Sequence, residues 1–207
     1  MGDYGTFRRH FWALPLEVAM LVGVFLTVAA HDWLHVLTAS FTFIISFAPL
    51  IFERIFRVKL PQLFQITYVL FVFLSMFCGE VLKLYATVRG WDGAMHALSG
   101  GFIGLGVILW LRSLIYQRKI QFSFLLQMVF TFSFGVMIAT IWEIVEFGSD
   151  QIFGTTSQDR SLYDTMTDLV YGSAGTAAFI GLYYFFTKNQ RTLGLRWVIS
   201  HFEQLNR

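Results

Sequence analysis

The sequence predicts an all-α polytopic membrane protein, a six-transmembrane-helix bundle with both termini cytoplasmic. Hydrophobic residues make up 56% of the 207 residues and charged residues only 14%, compared with about 25% charged residues in soluble domains. Six apolar runs are each long enough to cross a bilayer, and short polar segments separate them. The sequence contains no internal repeat and no low-complexity segment, so we expect residues 1–207 to form a single domain.

Each predicted span ends at polar or turn-forming residues. The six spans cover residues 14–30, 34–52, 63–84, 94–115, 122–147 and 164–186. Val28 and Ala30 also suit the small-residue positions of a signal-peptide cleavage site, so removal of the first span is the alternative to its retention. Residues 188–207 are predicted to form a short amphipathic cytoplasmic tail.

The basic residues predict the orientation of the bundle. All of the 15 Lys and Arg residues except Lys83, Arg89 and Arg160 fall before the first span, at the end of the second or fourth span or in the loop that follows it, or after the sixth span. Because cytoplasmic loops are enriched in Lys and Arg, this distribution places both termini in the cytoplasm. Most of the 13 acidic residues fall on the opposite side.

Two carboxylates, Glu143 and Glu146, lie at the end of the fifth predicted span. Their spacing puts them on one face of a helix. A carboxylate in or at the edge of a bilayer is costly and by default indicates function. The predicted helix C-terminus near Phe147 adds to this cost, since its partial charge is negative. A proton, a basic side chain or a bound cation must compensate the two acids.

The predicted topology brings more ionisable residues to the same level of the membrane. The fourth and sixth spans begin on the extracytoplasmic side, where the fifth span ends, and each begins with a polar pair spaced i, i+4. Carboxylates and histidines at such spacings build metal sites in helical bundles. The predicted metal ligands are Asp92, His96, Glu143, Glu146, Asp164 and Asp168.

Two structural interpretations compete with a metal site. Asp92 and Asp164 also suit helix N-caps, although capping does not explain His96 or Asp168, each one turn deeper. The second interpretation is a purely structural cluster, in which the basic residues Lys83, Arg89 and Arg160 compensate the acids as ion pairs.

Glycines indicate that this polar region faces other helices. Gly100 and Gly104 continue the face of Asp92 and His96, and Gly172 continues that of Asp168. Small residues let membrane helices approach closely, so we expect these faces to pack inward. Ordinary helix packing would use the same pattern.

The residue types of this set restrict the chemistry. Carboxylates and an imidazole without a thiolate favour Mg²⁺, Mn²⁺, Zn²⁺ or Fe²⁺ over Cu⁺, and the single cysteine excludes an intramolecular disulfide. The first hypothesis is a metal-dependent hydrolase of a lipid-linked phosphate or ester; the others are a divalent-cation or proton-coupled transporter and a non-catalytic protein with a structural cluster. The expected partners are the lipid bilayer and a lipid or small anionic substrate, with no nucleic acid. Candidate substrate-binding residues are Glu80, Lys83, Arg89, Gln158 and Arg160.

The polar segment 148–161 connects the acids of the fifth span to those of the sixth. It shows no helical period and is long for a connection within a bundle. We therefore expect a loop that acts as a lid or entrance, with Gln158 and Arg160 near the ligand.

Three motifs together resemble a known family. They are Trp91-Asp92-Gly93-Ala94-Met95-His96 with Ser99-Gly100, Trp142-Glu143-Ile144-Val145-Glu146-Phe147, and Asp164-Thr165-Met166-Thr167-Asp168-Leu169 with Gly172 and Gly175. In this order the motifs look like the YjdF-type family of bacterial inner-membrane proteins, and the similarity covers about two thirds of the chain. The resemblance implies a multi-span protein of the bacterial cytoplasmic membrane and no particular activity.

Overall fold

The structure, a computed structural model, describes residues 11–158, 161–188 and 195–206. These residues form helices and connections without any β-strand. A 3₁₀ turn, Phe11–Ala13, precedes the first helix, and a π-helical segment, Phe73–Val81, continues the fourth. The helices are α1 (Leu14–Ala29), α2 (Trp33–Ile45), α3 (Ala48–Phe56), α4 (Gln62–Val72), α5 (Leu84–Thr87), α6 (Trp91–Arg118), α7 (Phe124–Phe153), α8 (Leu162–Lys188) and α9 (Leu195–Leu205).

Six helical stretches of the described chain are long and apolar enough to cross a membrane. They are Phe11–Ala29, Trp33–Phe56, Gln62–Val81, Trp91–Arg118, Phe124–Phe153 and Leu162–Thr187. This confirms the predicted all-α fold with six spans. The spans could be predicted because hydropathy over about 20 residues is a strong signal. The cytoplasmic placement of both termini stays a prediction.

The chain divides into two compact units, described separately below. The first contains residues 11–91 and 198–206 of the described chain, and the second contains residues 92–197. The organisation of both units as a single domain stays a prediction.

The first unit packs α1, α4 and the π-helical segment around a small core. Met20, Val69 and Phe77 belong to this core. A Cβ atom on Gly23 would lie 2.5 Å from Cζ of Phe77, so glycine permits this approach. Asp32 caps α2 by accepting a hydrogen bond from the backbone N–H of His35, and this hydrogen bond lowers the pKa of the exposed Asp32 carboxyl below its usual value.

Buried polar contacts shape the ends of the first unit. The Oε1 atom of Glu53 accepts hydrogen bonds from the backbone N–H of Leu60 (2.6 Å) and from Nε2 of Gln65 (3.0 Å), which fixes the connection between α3 and α4. The side chain of Asn206 exchanges two hydrogen bonds with the backbone of Lys59. The predicted amphipathic tail contains a helix, α9, in which Val198, Ile199 and Phe202 are buried.

In the second unit, α6 and α8 are in backbone contact. A Cβ atom on Gly100 would lie 2.8 Å from the backbone nitrogen of Thr176, and one on Gly175 would collide with the carbonyl of Ala97. The buried Thr176 hydroxyl donates to the carbonyl oxygens of Gly100 (3.1 Å) and Gly172 (3.0 Å). The expected inward packing of Gly100 and Gly172 is confirmed, since small residues permit such distances.

The end of α7 differs from the sequence prediction. The helix does not end near Phe147 but continues to Phe153, about two turns past Glu146, and Gly154 ends it with a φ of +68°. The segment 148–153, predicted as part of a loop, is therefore helical. Glu143 and Glu146 lie inside the helix, so the unfavourable charge of a helix C-terminus does not act on them as expected.

Candidate metal centre

Helix α6 contributes His96 and Asp92. Nε2 of His96 lies 3.4 Å from Oδ1 of Asp92, and the His96 side chain is buried. Asp92 is the second residue of α6 and thus lies inside the first turn. An acid in that turn interacts favourably with the helix dipole, which stabilises Asp92 at this position. The i, i+4 spacing places Asp92 on the same helix face as His96.

Helix α8 contributes Asp168, which is 3% exposed. Its Oδ2 atom lies 3.9 Å from Nε2 of His96. The close contact of α6 with α8 at Gly100 and Gly175 brings the two side chains to this distance. Asp164 is the third residue of α8 and lies one turn earlier.

Helix α7 contributes the two glutamates, each held by one neighbour. The indole N–H of Trp142 donates to Oε1 of Glu146 at 2.8 Å. Nε2 of Gln158 contacts both the backbone carbonyl of Glu143 (3.2 Å) and its Oε2 atom (3.4 Å). Glu143 is 5% exposed, and its other carboxylate oxygen, Oε1, is buried without a hydrogen-bond partner. Such an oxygen is costly unless another group binds it.

Five of the six predicted metal ligands come together in two groups. Asp92, His96 and Asp168 form one group, and His96, Glu143 and Glu146 form the other; within each group the ligand atoms lie within 4.8 Å of one another. His96 belongs to both. Asp164 is in neither group, and its role as a ligand stays a prediction.

Basic side chains do not neutralise these acids within the described residues of the second unit. In that part of the chain, no ion pair joins Lys or Arg to Glu143, Glu146 or Asp168. The ion-pair contacts of this cluster are those of His96 with Asp92 and with Asp168. A single imidazole, even when protonated, cannot balance four carboxylates. The described residues therefore lack sufficient counter-charge for four ionised carboxylates, which a proton or a cation would supply.

The segment after α7 is folded back on this helix by Asp150. The Asp150 carboxylate accepts hydrogen bonds from the Thr155 hydroxyl and from the backbone N–H groups of Ser157 (2.8 Å) and Gln158 (3.2 Å). This arrangement places the Gln158 side chain against Glu143. The expected position of Gln158 beside the candidate ligands is thus observed, whereas Arg160 lies outside the described residues.

A cavity of about 760 Å³ adjoins the cluster. Glu143, Asp150 and Gln158 line it together with apolar side chains that include Ile144 and Leu162. Ile144 is 63% exposed and Leu162 is 78% exposed. Glu143 and exposed apolar helix surface therefore border the same cavity.

The remaining candidate residues lie in the first unit. Glu80 belongs to the π-helical segment, Lys83 precedes α5 in a left-handed conformation, and Arg89 is exposed before α6. Their roles in substrate binding stay predictions.

Two positioning residues, Trp142 and Asp150, were not predicted. Trp142 precedes Glu146 by four residues, so helical spacing provided a signal for their hydrogen bond. Asp150 had no such signal, because its contacts depend on α7 continuing through a polar segment before the chain reverses.

The fold and the cluster define a class: a multi-pass α-helical membrane protein with a buried carboxylate–histidine group between three helices. Residues 11–189 match the model of the family described as predicted membrane protein (DUF2238), and the chain belongs to that family. This family is the one also called YjdF, so the resemblance noted from the motifs is supported at the level of the family.

The chain is also similar to a protein of a thermophilic bacterium. The chain is 28% identical over 141 residues to an uncharacterized protein of Thermotoga maritima, covering 67% of this chain and 71% of that protein. No solved structure matches the chain at a significant level.

Proposed function

We propose that this protein is a metal-dependent membrane hydrolase that cleaves a lipid-linked phosphate or ester at the extracytoplasmic side of the bacterial cytoplasmic membrane. The observation that carries the proposal is the buried, unpartnered Oε1 atom of Glu143, which belongs to a carboxylate–histidine group of metal-ligand dimensions. A buried carboxylate without a counter-charge is costly, and a divalent cation removes that cost.

The donor set suits a hard or borderline cation. Carboxylate oxygens and one imidazole bind Mg²⁺, Mn²⁺, Zn²⁺ or Fe²⁺. Such a cation polarises a phosphoryl or carbonyl oxygen and lowers the pKa of a bound water. In the hydrolysis, the oxygen of water bonds to phosphorus or to the carbonyl carbon, the ester bond to the lipid oxygen breaks, and that oxygen takes up a proton.

The protein's own groups then have separate tasks. Trp142 and Gln158 hold the two glutamates in fixed orientations through their hydrogen bonds. Outer contacts of this kind orient ligands and typically change metal affinity about 10–100-fold when removed. Glu143 belongs to the cluster and also lines the cavity, so a substrate in the cavity would lie close to the cation.

The cavity supports a substrate with an apolar part. Its volume of about 760 Å³ falls within the usual range for small-molecule sites, about 300–1,000 Å³. Exposed apolar side chains such as Ile144 and Leu162 line it on helices of membrane-spanning length. An acyl or prenyl chain can lie along this surface while its polar head reaches Glu143.

Melting experiments on the purified full chain test the metal centre. With Mn²⁺ in about 100-fold excess over its dissociation constant, mass action adds about 2.7 kcal/mol to the stability of the wild type, so its melting temperature rises. Glu143→Gln should show a smaller rise than wild type, because the α7 group loses a ligand, and should be no less stable than wild type in chelator, because an uncompensated buried charge is removed. Asp32→Asn, a matched change that keeps a good N-cap at α2, should respond to Mn²⁺ like wild type.

A purely structural cluster predicts the opposite result in chelator. If His96 stabilises the carboxylates as an ion pair, Glu143→Gln removes one partner of a buried pair and destabilises the chelated protein by about 3–5 kcal/mol. Destabilisation of that size, without any response of the wild type to Mn²⁺, would contradict the metal centre.

Activity is tested on the metal-loaded protein in lipid nanodiscs. We expect release of phosphate or carboxylate from a lipid-linked phosphate or ester, lost with chelator and with Glu143→Gln. If Mn²⁺ binds but no lipid phosphate or ester is cleaved, while proteoliposomes take up Mn²⁺, the protein is a transporter and the hydrolase proposal is wrong.

A further inference from the structure

We infer that the cluster binds two divalent cations rather than one, and that His96 lies at the junction of their two sites. This inference rests on the metal centre of the proposed function and specifies its stoichiometry. The first cation would lie among Asp92, His96 and Asp168, and the second among His96, Glu143 and Glu146.

Ligand geometry is the first argument. Metal–oxygen and metal–nitrogen bonds of about 2.0–2.2 Å keep the ligand atoms of one cation within about 4.4 Å of one another. Each of the two groups has close to this size, since its ligand atoms lie within 4.8 Å of one another. In the described part of the chain, the five residues form two groups that share His96 and not one group of five. Each group therefore suits its own ion.

Charge balance is the second argument. Each group contains two carboxylates, Asp92 with Asp168 or Glu143 with Glu146. One divalent cation neutralises one pair and leaves the other pair charged in surroundings where Asp168 is 3% exposed and Glu143 is 5% exposed. Two divalent cations neutralise all four carboxylates, which removes the penalty of burying like charges together.

The hydrogen bonds of the α7 group provide an independent argument, because they leave one carboxylate oxygen of this group without a partner. Trp142 occupies Oε1 of Glu146 and Gln158 contacts Oε2 of Glu143. Oε1 of Glu143 has no hydrogen-bond partner although Glu143 is more than nine-tenths buried. The contacts of His96 with Asp92 and Asp168 do not satisfy this oxygen, so no partner for it comes from the described residues, and a cation would supply one.

The shared histidine sets the spacing of the two sites. An imidazole binds two cations only through both of its ring nitrogens, which holds them further apart than the about 3.5–4 Å between cations that together bind the attacking and the leaving oxygen in phosphoryl transfer. Carboxylates and histidines from facing helices build two-metal sites in helical bundles. The nearby cavity reaches Glu143, so a substrate would approach the α7 cation first.

Counting Mn²⁺ in the purified full chain tests the inference. Elemental analysis after removal of free metal, together with titration calorimetry, should give two Mn²⁺ per wild-type chain, and electron paramagnetic resonance should show a spin-coupled pair. Glu146→Gln and Asp168→Asn should each retain one uncoupled Mn²⁺. Asp32→Asn, outside both groups, should retain two. Circular dichroism and melting curves of the metal-free variants show whether each one is folded.

The outcomes separate this inference from the proposed function. One Mn²⁺ per wild-type chain at saturation, with a normal rise in melting temperature, overturns the two-cation site and leaves the metal centre standing. Loss of all Mn²⁺ from both folded variants also overturns it, because all five ligands would then serve one ion. No Mn²⁺ in the wild type overturns both proposals.

Discussion

Glu143 shows how a single side chain links packing to chemistry. Its helix position buries the carboxylate, Gln158 engages one oxygen, and the other oxygen has no hydrogen bond. A glutamine would bury a neutral amide at lower electrostatic cost. A bound cation would offset the extra cost of burying a glutamate at this position. The sequence identified Glu143 as unusual because an acid interrupts an apolar run, but its partner Gln158 lies 15 residues later and follows from the fold of the loop.

Gly100 allows the two ligand-bearing helices α6 and α8 to touch, and we predict that Gly100→Ala destabilises the protein. The added Cβ atom would lie 2.8 Å from the backbone nitrogen of Thr176 and against the carbonyl of Gly172, where no flexible side chain can move aside. Overpacking of this kind costs about 1–3 kcal/mol. Thermal unfolding in detergent, with and without Mn²⁺, measures the loss.

Gly101→Ala is the matched control for this prediction, since a Cβ atom at Gly101 meets nothing within 4 Å. It should be as stable as wild type or slightly more stable, because alanine favours a helix over glycine by about 1 kcal/mol. Equal melting temperatures for Gly100→Ala and Gly101→Ala would show that backbone contact of α6 with α8 does not limit stability.

At the scale of the element, the sequence predicted helix existence better than helix ends. The apolar core of α7 was clear, but Gly148, Ser149 and Asp150 resemble a loop in composition. In the structure they continue the helix, and the chain leaves it only where Gly154 adopts a positive φ. Hydropathy detects contact with lipid, whereas a helix end depends on local hydrogen bonds such as those of Asp150.

Asp150 should therefore control the order of the segment after α7 and, through it, the cluster. In Asp150→Ala the backbone N–H groups of Ser157 and Gln158 lose their acceptor. Hydrogen bonds to a charged group are worth about 1.5–3 kcal/mol, so we expect amide hydrogen exchange at 157–158 to become about 10–100-fold faster. Mn²⁺ affinity should fall about 10-fold as Gln158 loses its position beside Glu143.

Thr156→Ala provides the comparison for Asp150→Ala. Thr156 is exposed in the same segment, and its replacement should change neither exchange nor Mn²⁺ affinity. If Asp150→Ala exchanges faster but binds Mn²⁺ normally, the segment is ordered by Asp150 without supporting the cluster.

At the scale of the molecule, the number of spans and their approximate limits could be predicted because each span carries its own apolar signal. The candidate site could be predicted only in part. Helical spacing gave Asp92 with His96 and Glu143 with Glu146, but the division into two groups, and the exclusion of Asp164 from them, depend on the contact between α6 and α8. Distances of this kind arise from tertiary packing, which spacing along one helix cannot supply.

Orientation in the membrane is the remaining whole-molecule prediction, and it decides which leaflet supplies the substrate. The distribution of Lys and Arg predicts that the segment after α7 faces the extracytoplasmic side and the segment between α6 and α7 faces the cytoplasm. Cys78 is buried and is the single cysteine of the chain, so a Cys78→Ala background permits labelling at chosen sites. Thr156→Cys and Gln121→Cys are exposed positions beyond the two ends of α7.

A membrane-impermeant maleimide applied to intact cells should label Thr156→Cys and should label Gln121→Cys only after the membrane is permeabilised. Because α7 has the length and composition of a membrane span, the two positions should never react together in intact cells. Labelling of Gln121→Cys alone would show that the orientation is the reverse of the predicted one and that the cluster lies towards the cytoplasmic side. The metal centre would be unaffected, but its substrate would then come from the inner leaflet.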